Sequence, residues 1–210
     1  QPVRSLATIN MVAYQGAAAS KRIFDIIDKP INIKNENNLP DLKISNCNIE
    51  FNNVSFKYQK TNDKALNNIN LNVEGGKITA LVGKSGAGKS TIINLLPRFY
   101  DPQYGTILID GQNTKDINLN SLRSKISLVS QDVILFDDTI RNNIAYANSE
   151  ATSEEIEEAC EFAAAAEFIN KLPNKYDTMV GENGVRLSGG QKQRISIARA
   201  ILKKSQIILL

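Results

Sequence analysis

Histidine and tryptophan are absent from the 210 residues, and cysteine occurs only twice, as Cys47 and Cys160. Without His the stretch holds no Ser/His/Asp triad, no Cys/His pair and no His-ligated metal centre. Two cysteines so far apart make neither a disulfide framework nor a zinc ribbon, so both are expected as reduced structural thiols in a reducing compartment. No apolar run approaches the roughly 20 residues of a membrane-spanning helix, and Gln1-Pro2-Val3-Arg4 has neither an initiator Met nor a signal-peptide layout. A surplus of one charge is lacking too. The 25 Lys+Arg stand against 22 Asp+Glu, a net of +3 that is too mild to argue for a nucleic-acid partner. What is there is 42% hydrophobic and long enough for one domain with a sizeable core, or for one domain plus an appendage. The chain closes on Gln206-Ile207-Ile208-Leu209-Leu210, a strand-like run with no turn after it, so both ends are expected to be cut from something longer.

Residues 3 to 28 read as a helix of small and apolar residues, among them Val3, Leu6, Ile9, Ala13, Gly16, Ile23 and Ile27, stopped by Pro30. A polar linker rich in Asn, Lys and Pro is expected from residue 29 to 48. Ile49, Phe51, Val54, Phe56 and Tyr58 belong to strand-like segments, with a turn or a bulge at Asn52-Asn53. Ile69, Leu71 and Val73 alternate as a half-buried strand does, and Ile78-Thr79-Ala80-Leu81-Val82 is apolar enough for a central strand buried on both faces. Further strands are expected at 106–109, closed by Asp110-Gly111, and at 126–129. Thr152-Ser153-Glu154-Glu155 has the form of a capping box and opens an Ala- and Glu-rich stretch that reads as two helices; a last helix runs from Gly190 to about Lys204. Strands, then a helical insertion, then strand again, describe an α/β core with a helical subdomain.

Two loops carry chemistry. Gly83-Lys84-Ser85-Gly86-Ala87-Gly88-Lys89-Ser90-Thr91 fits G-x-x-x-x-G-K-S/T and lies between an expected buried strand and a helix. Glycines there let successive N–H groups turn inward as an anion nest, and the helix dipole adds positive potential at the same point. Lys89 is expected to reach the β- and γ-phosphates, and the Ser90 hydroxyl to ligate Mg²⁺. A purine nucleoside triphosphate with Mg²⁺ is the ligand this loop implies. The second loop, Leu187-Ser188-Gly189-Gly190-Gln191, again places Ser and two Gly at a helix start, and a chance match to those five residues is on the order of one in ten thousand for such a chain.

That pentapeptide resembles the signature of the nucleotide-binding domains of ATP-binding cassette transporters. The resemblance covers essentially the whole chain and implies a P-loop NTPase core with an antiparallel β subdomain and a helical subdomain carrying the signature. It assigns residues 1–28 to the cytoplasmic end of a last transmembrane helix, 29–48 to the linker and 49–210 to the ATPase domain. In the family, ATP is sandwiched in a head-to-tail dimer. The implied partners are therefore a second such domain and the transmembrane domain of the same protein, and Leu187, Ser188, Gly189, Gly190 and Gln191 would act across the interface on the other copy's nucleotide. Tyr58 matches the aromatic residue that stacks on adenine. Gln131 in Val129-Ser130-Gln131-Asp132 matches the glutamine that approaches Mg²⁺ and the attacking water, so Lys89 and Gln131 are the catalytic candidates. Thr178-Met179-Val180-Gly181-Glu182 resembles the segment with which exporters touch their membrane domains.

Leu135-Phe136-Asp137-Asp138-Thr139-Ile140 looks like exporters with fused membrane and ATPase domains, and Asn142 to Ala147 with Gly181-Glu182-Asn183-Gly184 looks most like lipid A flippases. This implies a lipid or amphipathic substrate and a place on the cytoplasmic face of a bacterial inner membrane. A multidrug or peptide exporter and a soluble cassette ATPase remain open beside it. In register with the family, the chain stops before the Asp that holds Mg²⁺ through water, the Glu that polarises the attacking water and the switch His. The fragment alone is expected to be inactive for want of a general base.

Overall fold

The computed structural model describes residues 2–31, 33–36, 38–59 and 63–210, with side chains from residue 9 onward in the first helix. The chain divides into two bodies, residues 1–34 and 35–210. The first holds α1 (Pro2–Ile27), whose small residues and near absence of chain breakers sustain one long helix; Lys29 closes it with an N–H to the Ile26 carbonyl, just before Pro30. Ile9, Met11, Val12, Phe24 and Ile27 on this helix are each more than half exposed. Among the described residues no helix is long and apolar enough to cross a membrane.

In the second body, β1 (Ile49–Phe56), β2 (Leu66–Val73), β3 (Tyr104–Ile109) and β4 (Gln112–Asn113) form an antiparallel sheet in the order β2-β1-β3-β4. Asn52-Asn53 is a bulge: the register slips between Phe51 and Val54, and Asn53 has φ 53°. The inserted residue keeps Ile49, Phe51, Val54 and Phe56 on one buried face although their spacing changes from two to three. Asp110 and Gly111, both with positive φ, make the two-residue turn from β3 to β4. The Asp110 carboxylate accepts four backbone N–H groups, from Ser45, Asn46, Cys47 and Asn48, at 2.7 to 3.1 Å. Desolvation would raise its pKa, but the four donors together outweigh it and hold the carboxyl at about 2.

A second sheet pairs β5 (Ile126–Leu128) and β6 (Ile207–Leu209) in parallel. After the short helices α2 (Lys89–Leu95) and α3 (Leu119–Ser124), the chain builds, between β5 and β6, α4 (Ile140–Ala145), α5 (Ser153–Phe162), α6 (Ala166–Ile169) and α7 (Gly189–Leu202), which bury Ile144, Ile156, Cys160, Ile169 and Ile195 in one cluster. Each such aliphatic side chain contributes about 1.5–3 kcal/mol on burial. The Thr152–Glu155 capping box opens α5 as its sequence requires. Both cysteines are free thiols, and burial pushes the Cys160 thiol up to about 11. Lys203, at the end of α7, donates to the carbonyls of Arg123 and Ile126 and so fastens the helical cluster to the start of β5.

The segment Ile78–Val82 departs from its sequence pattern. It forms neither helix nor strand and pairs with no described strand, and Ile78 and Val82 are 103% and 93% exposed. Apolar side chains mark a strand that both faces could bury, but a strand exists only when a neighbouring backbone completes its hydrogen-bond ladder. The β5–β6 pair does not extend to it.

Candidate functional site

Residues 83–87 form an exposed loop, and Lys89 and Ser90 open α2 (Lys89–Leu95). The residue preceding the helix is Gly88, at φ 86° and ψ 8°, and no side chain caps the helix. The orphan N–H groups of its first turn are thus left for an outside acceptor. Gly88 cannot be replaced within this fold: a Cβ there would fall 2.5 Å from Leu66 Cδ2 and 2.7 Å from the Ala65 carbonyl oxygen. The Lys89 ammonium lies across the loop, donating to the carbonyls of Gly83 and Lys84 at 2.9 Å each. These are neutral acceptors, and no described carboxylate pairs with Lys89, so its charge is available to an anion entering the loop. Thr91 is buried at the base of the helix, and its hydroxyl shares a 3.2 Å hydrogen bond with the Tyr58 hydroxyl. Tyr58 is half-buried and packs edge-on against Phe56 and Tyr100, with centroids 4.8 and 5.2 Å away.

The donor set fits a triphosphate with a divalent cation. Ser90 and Gln131 are both exposed and offer neutral oxygens, and no described cluster of three or more carboxylates or thiols could hold a metal. A hard cation therefore needs the charge of phosphate oxygens, and it would arrive with the nucleotide. Gln131 lies in the loop after β5, beside a turn in which the Ser130 hydroxyl donates to the Asp132 carbonyl at 2.7 Å.

The signature loop has a different construction. Ser188 caps α7: its hydroxyl accepts the Gln191 N–H at 3.3 Å, while Gln191 Oε1 accepts the Ser188 N–H at 2.9 Å. Leu187 anchors the loop in the helical cluster. Gly189 and Gly190 are exposed, have no positive φ, and an added Cβ at either would meet nothing within 4 Å. Two glycines in the first turn of a helix are unfavourable, and nothing among the described residues asks for them. They leave bare backbone N–H groups that a ligand or a second chain can approach. With its acceptor side occupied by the cap, the Ser188 hydroxyl can still donate outward. No hydrogen bond or ion pair among the described residues joins this loop to the phosphate loop; each stands alone.

One constellation escaped the sequence reading. Asn143 is 1% exposed; its amide donates to the carbonyls of Phe136 and Thr139 and accepts the Phe136 N–H. Arg199 on α7 donates to Asn143 Oδ1 and to the carbonyls of Asn143 and Ile134 at 2.6 to 2.8 Å. The two residues lie 56 positions apart, so no local pattern announces them. Nearby, Thr139 and Met179 form an isolated antiparallel bridge, which ties the 178–182 segment to the start of α4.

A sequence profile of ABC transporters matches residues 66–210. The chain is 50% identical over 211 aligned residues to the ATP-dependent lipid A-core flippase of Photorhabdus laumondii subsp. laumondii, covering all of this chain and 36% of that protein. It is 47% identical to the ATP-dependent lipid A-core flippase of Syntrophus aciditrophicus, covering all of this chain and 35% of that one. A solved structure of a bacterial Atm1-family ABC exporter with ATP bound matches with TM-score 0.88 and 43% identity, over 97% of this chain and 35% of that chain. The chain thus spans about a third of the length of these relatives. With the profile matched over the phosphate loop, the signature and everything between, the chain belongs to the ABC transporter family and has its P-loop NTPase fold.

Proposed function

We propose that this chain is the ATP-binding domain of an exporter that couples ATP hydrolysis to movement of a lipid A-type or other amphipathic substrate across a membrane. The observation that carries the reading is the phosphate loop, with Gly88 fixed by its neighbours and Lys89 unpaired by any described carboxylate. The lipid preference is supported by the flippases it resembles along its whole length. In this reading, residues 83–91 hold the triphosphate, Tyr58 takes the adenine, and Ser90 with Gln131 receives Mg²⁺. The cation supplies charge neutralisation at the phosphates. Lys89 orients the β- and γ-phosphates, and Gln131 orients the water. Residues 187–191 close on the nucleotide of a second copy in a head-to-tail dimer. Residues 1–28 and 29–48 lead from the membrane domain to the ATPase domain on the cytoplasmic face.

Lys89→Ala in the full-length protein tests this. ATPase activity should fall by roughly 10²-fold or more, and transport should fall with it; wild-type turnover by that variant overturns the reading. For the substrate, vesicles with and without lipid A separate the cases. Stimulation of ATPase activity by lipid A supports a flippase, and stimulation by a peptide or drug with none by lipid replaces it with a multidrug or peptide exporter.

A further inference from the structure

The polar unit around Arg199 has no task in the function proposed above. Its guanidinium fork reaches three acceptors, Ile134 O, Asn143 O and Asn143 Oδ1, and lies 6.0 Å over the Phe136 ring. All three acceptors belong to one stretch, 134–143, which begins three residues after Gln131. No described carboxylate pairs with Arg199, so the charge is kept in a partly buried place without a counter-ion, and burial pulls its pKa down. A cation in such a place is a poor choice for packing alone, since an apolar side chain of similar volume usually packs at least as stably. What the fork adds is direction: five N–H donors in one plane fix the angle between a helix and a loop. Asn143 completes the unit by bonding both ends of the 136–139 turn, and the Thr139–Met179 bridge joins the 178–182 segment to it. Eleven residues before Arg199, the same helix begins at Ser188.

We infer that Arg199, acting through Asn143, is a positioning residue that locks the loop carrying Gln131 and the signature helix α7 into one lever, so that displacement at Gln131 is delivered to Ser188. This inference rests on the function proposed above. Arg199 touches neither loop's ligand-binding atoms, so its loss should leave the affinity of the phosphate loop intact and impair only the concerted step.

The test uses full-length protein carrying Arg199→Lys, which keeps the charge and the stem but loses the fork, alongside Asn143→Ala. Arg199→Lys should lower kcat by about tenfold to a hundredfold, the range expected when a catalytic constellation is misplaced by about an ångström. ATP affinity measured without Mg²⁺ and the thermal midpoint should stay near wild type. Asn143→Ala, wherever it folds, should give the same split. Wild-type kcat in Arg199→Lys overturns the inference. So does a kcat loss fully matched by a lower folded fraction, or one accompanied by an equal loss of ATP affinity. Lys89→Ala, run in parallel, reports on the phosphate loop: loss of turnover there with normal turnover in Arg199→Lys sinks the lever alone.

Discussion

At Gly88 an added Cβ would lie 2.5 Å from Leu66 Cδ2, whereas at Gly189 and Gly190 it would meet nothing within 4 Å. Both positions border the start of a helix, and both leave first-turn N–H groups for an anion. The phosphate loop needs its glycine for reasons internal to the fold: a left-handed φ of 86° and a close approach from the start of β2. The signature loop needs its glycines only if something outside the chain comes close. The first loop is thus shaped by its own chain, whereas the second is open toward whatever approaches from outside it. The side chains agree with this division. Lys89 bends back onto its own loop, while Ser188 and Gln191 brace each other and leave the loop's outer surface bare.

Substitutions can break or sharpen this contrast. The largest effect is expected at Gly88→Ala, where a left-handed residue costs about 1–2 kcal/mol in backbone strain before the clash with Leu66 and Ala65 is counted. Nucleotide binding should be lost together with stability, as a thermal melt and an ATP titration would show. Next is Ile195→Ala, which opens a cavity in the helical cluster beneath α7. It should cost about 2–5 kcal/mol in denaturant unfolding and loosen the signature helix while leaving ATP affinity at the phosphate loop near wild type. The smallest is Asp110→Asn, which touches neither loop. The folded-state pKa of Asp110 is lowered to about 2, so its contribution is present above the ordinary carboxylate value of about 4 and is lost as pH falls through about 2. The variant should melt lower than wild type at pH 7, and the gap should close in strong acid; a gap independent of pH would show that the four backbone N–H groups do not depend on the charge.

Much of this was legible in the sequence because it is local. The phosphate loop, the capping box at Thr152 and the turn at Asp110-Gly111 are each encoded within a few residues, where backbone preference and side-chain chemistry act on neighbours. The bulge at Asn52-Asn53 could be narrowed to two choices, and pairing with β2 selects between them. The signals that failed are long-range. Ile78–Val82 has strand composition, yet a ladder needs a second strand, which composition cannot supply. Arg199 and Asn143 meet only because α4 and α7 pack, and an Arg on a helix gives no hint in the sequence that its partners are carbonyls. The spare glycines at 189 and 190 lie between these cases: the motif is plain in the sequence, but the reason for it lies in the open space above them, which only the fold defines.

The contrast between a loop shaped by its own chain and a loop open to a second one is tested most directly by Gly190→Ala in the full-length protein. Ala favours a helix over Gly by roughly 0.5–1 kcal/mol, so the thermal midpoint should hold or rise and ATP affinity at the phosphate loop should be unchanged. ATPase activity should nevertheless drop by about a hundredfold, because in the proposed dimer the new methyl group would stand where the second copy's nucleotide approaches. Full ATPase activity in a protein as stable as wild type would contradict the account.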